Sequence, residues 1–298
     1  MSDEFRDEIE KLHLPQSIVQ ELMHRREINA KFEYQYNSVR RYYASSPSII
    51  HDAVVALFMG KNILLEGSTG SGKTTLAEYL AYLFTKPMRQ INCSVDLDAE
   101  ALLGYKTLSY HENKQTIDYI EGPVVSAMTN GEFLYIDEIN MAKPETLPIL
   151  NGVLDYRRRI TNPFTTEVVF AKQGFCTIGA INLGYVGTVP LNEALKNRFV
   201  ILEVPYIQGD TLIDLLAETT HLKDKQLLHL FTRMSFELVE QARLGQIPEE
   251  AASIRALQDA CDLASFIPPL RAIRSAIANK LDDASDRSLI MDLAETFF

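Results

Sequence analysis

Up to Pro205, apolar residues come in short unbroken runs, separated by stretches in which they recur every three or four positions. The runs Ile63-Leu64-Leu65, Phe133-Leu134-Tyr135-Ile136 and Phe175 to Ile181 leave little polar face, which suits strands covered on both sides in a parallel sheet. Met88 to Cys93 and Phe199 to Val204 add two further strands. After the first run, Leu76, Leu80, Leu83 and Phe84 predict an amphipathic helix that ends at Lys86-Pro87. Shorter helices are expected over 49–59, 96–101, 123–129, 145–156 and 191–197. In the fourth of these, Leu147, Leu150 and Leu154 share a face, and Pro148 is tolerable only in the first turn.

Two β-like pairs interrupt this alternation. Thr107 to Tyr110 and Thr116 to Ile120 flank the polar turn His111-Glu112-Asn113-Lys114, and Ile160 to Phe170 suggests a second hairpin. Beyond Pro205 only helical periodicity remains, as in Leu227, Leu228, Phe231 and Met234, then Ile254, Leu257 and Cys261. The pattern predicts an α/β fold, a parallel sheet sandwiched by helices, followed by a small all-helical lid domain. The expected division is an N-terminal helical extension over 1–45, an α/β domain over 46–207 and the lid over 208–298. The extension reads as polar helix, with a start at Pro15 and a tyrosine-rich end at Tyr34, Tyr36, Tyr42 and Tyr43. Aromatic residues in such a stripe more often pack than bind a ligand.

The chemistry concentrates where the first strand meets its helix. Gly67-Ser68-Thr69-Gly70-Ser71-Gly72-Lys73-Thr74 fits the phosphate-binding pattern G-x-x-x-x-G-K-[ST] at every specified position, with the required strand before it and helix after it. Successive backbone N–H groups of such a loop, with the helix N-terminus, hold a nucleotide polyphosphate. Lys73 would reach the outer phosphates, Thr74 would offer its hydroxyl to Mg²⁺, and Thr75 continues the nucleotide-binding segment. The acidic pair Asp137-Glu138 closes an apolar strand, at the sheet edge where open α/β folds bind ligands. Adjacent carboxylates there are costly without a cation. Asp137 would hold Mg²⁺, directly or through water, and Glu138 would polarise the attacking water. Asn182 brings an amide to the same edge. Arg157-Arg158-Arg159 is read as a solvated, dipole-favoured helix end.

Composition narrows the class. The chain has 298 residues, 46% apolar and 23% charged, ordinary for a soluble globular protein. Its net charge of −11 disfavours a general nucleic-acid surface. Cys93, Cys176 and Cys261 are far apart and form no C-x-x-C pair, which suggests neither a disulfide framework nor a zinc site. The acidic start Met1-Ser2-Asp3-Glu4 is no secretory signal, and no run approaches the ~18 apolar residues of a membrane span. The expected location is the cytoplasm.

With these residues in hand, the chain resembles an AAA+ ATPase of the MoxR type, in the group named after CbbQ, NirQ, NorQ and GvpN. The resemblance covers most of residues 48–298: Gly67–Thr74 as Walker A, Phe133–Glu138 as Walker B, Asn182 as sensor 1, Asn197-Arg198-Phe199 as the arginine-finger segment and Ser253 to Leu257, with Arg255, as sensor 2. Many relatives carry Asn-Pro at sensor 1 where this chain has Asn182-Leu183, followed by Gly184-Tyr185. The two hairpins fall where this branch has insertions. The resemblance implies a P-loop AAA+ fold, ATP and Mg²⁺ as cofactors, and a homo-oligomeric ring, a hexamer in this branch. It also implies a protein client and a partner with a von Willebrand factor A domain, in metal-cofactor insertion or enzyme activation. Arg198 would complete a neighbour's site, its bland alternative being a helix C-terminal cation. Arg255, with Ser253 as a possible cap, opposes its own helix dipole unless an anion is near. Two other readings are a nucleic-acid-acting AAA+ motor and a nucleotide-gated scaffold without useful turnover.

Overall fold

The computed structural model describes residues 2–29, 41–93, 97–111, 114–143, 145–182, 191 and 193–298. In chain order its strands are β1 (Asn62–Gly67), β2 (Met88–Asn92), β3 (Gly104–His111), β4 (Lys114–Glu121), β5 (Phe133–Asp137), β6 (Arg159–Thr161), β7 (Val168–Phe170), β8 (Cys176–Asn182) and β9 (Phe199–Glu203). The helices are α1 (Ser2–Glu10), α2 (Gln16–Ile28), α3 (Pro47–Phe58), α4 (Lys73–Leu83), α5 (Ala99–Leu103), α6 (Pro123–Asn130), α7 (Leu147–Leu154), α8 (Glu193–Lys196), α9 (Gly209–Thr219), α10 (Lys225–Arg243), α11 (Ile254–Ala264), α12 (Pro269–Ala276) and α13 (Ala284–Glu295). Five strands form one parallel sheet in the order β2-β5-β8-β1-β9, flanked by helices. Strands β3 and β4 pair antiparallel, as do β6 and β7, so both interruptions of the alternating pattern are hairpins.

By their internal contacts the residues divide into two compact units. One draws on Met1–Tyr42, Pro47–Glu66 and Thr74–Glu203, the other on Tyr43–Ser46, Gly67–Lys73 and Val204–Phe298. The sheet unit buries Leu64, Leu134, Ile136 and Phe175 with Met128, Leu150 and Val153 in one core. Because β5 and β8 are interior strands, they are buried on both faces up to their last residues. The N-terminal helices pack in this unit on the helix that follows the glycine-rich loop. The Phe5 ring meets Tyr82 edge-on at 5.5 Å, and the Tyr79 hydroxyl donates to Glu8 at 2.8 Å. Tyr42 stacks on Tyr79, so this tyrosine packs; Tyr34 and Tyr36 lie outside the described residues.

The helical unit has its own core of Leu212, Leu216, Phe231, Met234, Leu238, Leu257 and Ile273. Asp224 caps α10, accepting from the N–H groups of Gln226 and Leu227.

Several local expectations change. The helix expected from Asp96 begins at Ala99, capped by Asp98; Asp96 itself lies outside the described residues, as do Glu112 and Asn113 of the hairpin turn. Pro148 falls in the first turn of α7, where its missing N–H costs nothing. The arginine triplet is not uniformly solvated. Arg158, at φ 45°, is half-buried and donates to the carbonyls of Phe175 and Gly60, because the chain turns there from α7 into β6.

Candidate functional site

In a parallel sheet all strands end at the same edge, and three functional side chains leave this sheet there. Asp137 is the last residue of β5 and Asn182 the last of β8; the two strands are hydrogen-bonded neighbours. Glu138 follows Asp137 in the left-handed region, at φ 51° and ψ 41°. That conformation costs a non-glycine residue about 1–3 kcal/mol and recurs at functional sites. Here it turns the Glu138 carboxylate towards the neighbouring strand, where Oε1 accepts from Asn182 Nδ2 at 3.2 Å.

The Asp137 carboxylate is held from two directions. One oxygen accepts from the Glu138 N–H at 3.0 Å, and the other lies 3.4 Å from the Thr74 hydroxyl in the first turn of α4. The Tyr135 hydroxyl stands 3.1 Å from the same Thr74 oxygen. Burial, and then the Asp137 charge, push the Tyr135 phenol well above its usual range, so it stays protonated. The same two causes act on Cys93 at the end of the adjacent strand. Burial, then Asp137 and Glu138, push its thiol up to about 12. Cys93, Cys176 and Cys261 are all buried free thiols.

The glycine-rich loop is shaped by its backbone. Gly70 and Gly72 take φ of 77° and 89°, values that cost glycine nothing. A Cβ on Gly67 would stand 2.4 Å from the Val204 carbonyl oxygen, and one on Gly70 would stand 2.3 Å from the Ser253 hydroxyl. The Tyr206 hydroxyl donates to the Thr69 carbonyl at 2.8 Å. Lys73 is 6% exposed, and its ammonium donates to the carbonyls of Gly67 and Ser68 at 2.9 and 2.8 Å. Ser71 Oγ is buried without a hydrogen-bond partner among the described residues. A buried hydroxyl left unbonded in a glycine-rich loop suits an anion such as a polyphosphate.

The metal donor set also fits. Mg²⁺ takes one or two protein oxygens and fills its octahedron with phosphate and water. A hydroxyl and a carboxylate converging to 3.4 Å provide that much. Among the described residues no group of three or more His, Cys, Asp or Glu side chains offers a richer cage.

The remaining expected residues are placed differently. Thr75 is exposed one residue beyond Thr74. Arg198 follows the short helix α8 and donates to the Ala194 carbonyl of that same helix, the geometry of a C-terminal cation. Arg255 is exposed in the first turn of α11. Ser253 occupies the N-cap position of α11 but makes no side-chain cap bond; its hydroxyl lies against Gly70 instead. Leu183, Gly184 and Tyr185 lie outside the described residues. Sequence reading passed over Tyr135 and Tyr206. The available signal for Tyr135 was its place two residues before Asp137, hence on the same strand face.

The chain is similar to several known proteins. A family model described as an AAA domain of the dynein-related subfamily matches residues 62–199. The uncharacterized YojN protein of Bacillus subtilis is 56% identical over 292 residues, 98% of this chain and 96% of that protein. The uncharacterized SSP1341 protein of Staphylococcus saprophyticus is 55% identical over 252 residues, 84% of this chain and 96% of that protein. A crystal structure from Cytophaga hutchinsonii, provisionally named an ATPase, covers 95% of this chain and 98% of its own at 17% identity, with a TM-score of 0.50. That last likeness speaks for the fold alone. From the sheet, the loop and these relatives, the chain belongs to the AAA+ ATPases, in the family that includes the Bacillus subtilis YojN protein.

Proposed function

We propose that the chain binds ATP with Mg²⁺ and hydrolyses it, as a ring-forming machine of the MoxR type that remodels or activates a protein client. The observation that carries the hydrolytic part is the linked set Thr74, Asp137, Glu138 and Asn182, held together by hydrogen bonds at one sheet edge. A scaffold that only sensed nucleotide would need no carboxylate held in a strained backbone and oriented by an amide.

In this reading the N–H groups of Gly67 to Lys73 and the Lys73 ammonium hold the phosphates, and Thr74 and Asp137 hold the metal. Bound there, Mg²⁺ supplies positive charge to the phosphate oxygens. Glu138 accepts the proton of the attacking water. Asn182 keeps the Glu138 carboxylate aimed and orients that water. Arg198 acts on the γ-phosphate of a neighbouring subunit, and Arg255 faces phosphate from the lid. The von Willebrand factor A partner, metal-cofactor insertion or enzyme activation, the lid over 208–298, the extension over 1–45 and a cytoplasmic location rest on resemblance and sequence pattern. No helix among the described residues is long and apolar enough to cross a membrane. A nucleic-acid motor is disfavoured by the net charge of −11.

Head-to-tail interfaces close into rings when their rotation allows it. Light scattering with ATP and Mg²⁺ should therefore give a closed oligomer, a hexamer by resemblance. A monomer at every concentration and nucleotide state contradicts the ring.

A further inference from the structure

We infer that Tyr135 is a positioning residue for the metal end of the site: its phenol fixes the proton of the Thr74 hydroxyl so that the threonine oxygen presents a lone pair to Mg²⁺. The inference rests on the proposed roles of Thr74 and Asp137 as metal ligands.

Tyr135 is fully buried in an interior strand, in the run Phe133-Leu134-Tyr135-Ile136, where any large apolar side chain would satisfy the sheet. A hydroxyl placed there costs free energy unless it is bonded. Strand periodicity puts Tyr135 and Asp137 on one face, and that face meets the start of α4. The phenol's hydrogen-bond partner is one of the two proposed ligands, the Thr74 hydroxyl at 3.1 Å, and the charge of the other, Asp137, acts on the same phenol.

A threonine hydroxyl has one proton and two lone pairs. To ligate a cation it must turn the proton away. An ionised Asp137 only accepts, and Tyr135 has one proton to give, which leaves two arrangements. Thr74 can donate to Tyr135, leaving both threonine lone pairs open. Alternatively Thr74 donates to Asp137 and accepts from Tyr135, leaving one lone pair open. In both, the threonine proton points into the protein and the oxygen faces outward. Without the phenol, among the described residues only the 3.4 Å contact to Asp137 restrains that rotor.

Partners that orient metal ligands from behind typically contribute 10- to 100-fold to metal affinity or activity. The test compares Tyr135→Phe, Thr74→Ala, the double variant and the unaltered chain. Calorimetry measures the affinity of a non-hydrolysable ATP analogue in EDTA and in excess Mg²⁺, and phosphate release measures the Mg²⁺ concentration for half-maximal turnover. Tyr135→Phe should bind the analogue in EDTA within about twofold of the unaltered chain. It should lose roughly tenfold of the gain that Mg²⁺ brings, and need roughly tenfold more Mg²⁺ for turnover. Adding Tyr135→Phe to Thr74→Ala should change nothing further.

An unchanged Mg²⁺ gain in Tyr135→Phe, or an equal loss with and without Mg²⁺, overturns the inference. If Thr74→Ala keeps the full Mg²⁺ gain, the underlying metal assignment fails instead. Should Tyr135→Phe not fold, Tyr135→Met is measured in its place. If neither folds by circular dichroism, the phenol serves packing and the assignment is dropped.

Discussion

Glu138→Gln should bind ATP as tightly as the unaltered chain yet turn it over about 10²–10⁴-fold more slowly, the usual contribution of a positioned general base. The glutamine amide keeps the volume of the carboxylate and can still accept from Asn182 through its remaining oxygen, so the loop and strand ends stay in place. What disappears is the proton acceptor. The left-handed backbone at Glu138 sharpens the expectation, because that strained residue holds its carboxylate against Asn182 on the neighbouring strand. Calorimetry for binding and phosphate release for turnover separate the two effects. Undiminished turnover in this variant removes Glu138 from the chemistry, and loss of ATP binding assigns it to the architecture.

Arg198→Ala should retain ATP binding and lose about 10³–10⁵-fold in turnover if the guanidinium completes a neighbour's site. In the single chain this guanidinium donates to Ala194, a neutral carbonyl on its own four-residue helix. A phosphate would pair the guanidinium with an opposite charge in a bidentate fork, against one neutral carbonyl now, so the present partner does not bar the exchange. Mixing decides between the two roles. A Glu138→Gln subunit keeps its finger but has a dead site, and an Arg198→Ala subunit keeps a sound site but offers no finger. Mixed rings should regain activity wherever an Arg198→Ala site faces a Glu138→Gln neighbour. If subunits exchange and the mixture stays inactive, Arg198 is only the helix-end cation that its present geometry displays.

The two strand ends that carry Asp137, Glu138 and Asn182 were legible because interior parallel strands must be apolar throughout, which makes a polar side chain at their carboxyl ends conspicuous. The hairpins were legible for the opposite reason, since Thr107 to Tyr110 and Ile160 to Phe170 break the strand-helix alternation. Strand order was not legible. The neighbours of β1 are the last two strands of the sheet, a consequence of crossovers that no local pattern encodes.

Tyr135 escaped notice because an apolar run already explains an aromatic ring, and the hydroxyl's partner, Thr74, lies 61 residues earlier in the chain. Ser253 misled in the same way. Its position before α11 suggests a cap, while its hydroxyl packs on Gly70, a contact fixed by tertiary structure. Arg158 shows the limit of charge reading: a basic triplet looks solvated until the backbone turns one side chain onto backbone carbonyls.

The central claim, that the Gly67–Thr74 loop holds the phosphates of ATP, is tested most directly by ATP titration of the unaltered chain and of Lys73→Ala. The ammonium of Lys73 is buried in the loop and would turn from the Gly67 and Ser68 carbonyls to the outer phosphates. Removing one partner of a buried charged pair costs about 2–5 kcal/mol, so the variant should bind ATP with Mg²⁺ at least about 30-fold more weakly. Equal ATP affinity in the two proteins, or no ATP binding by the unaltered chain, contradicts the claim.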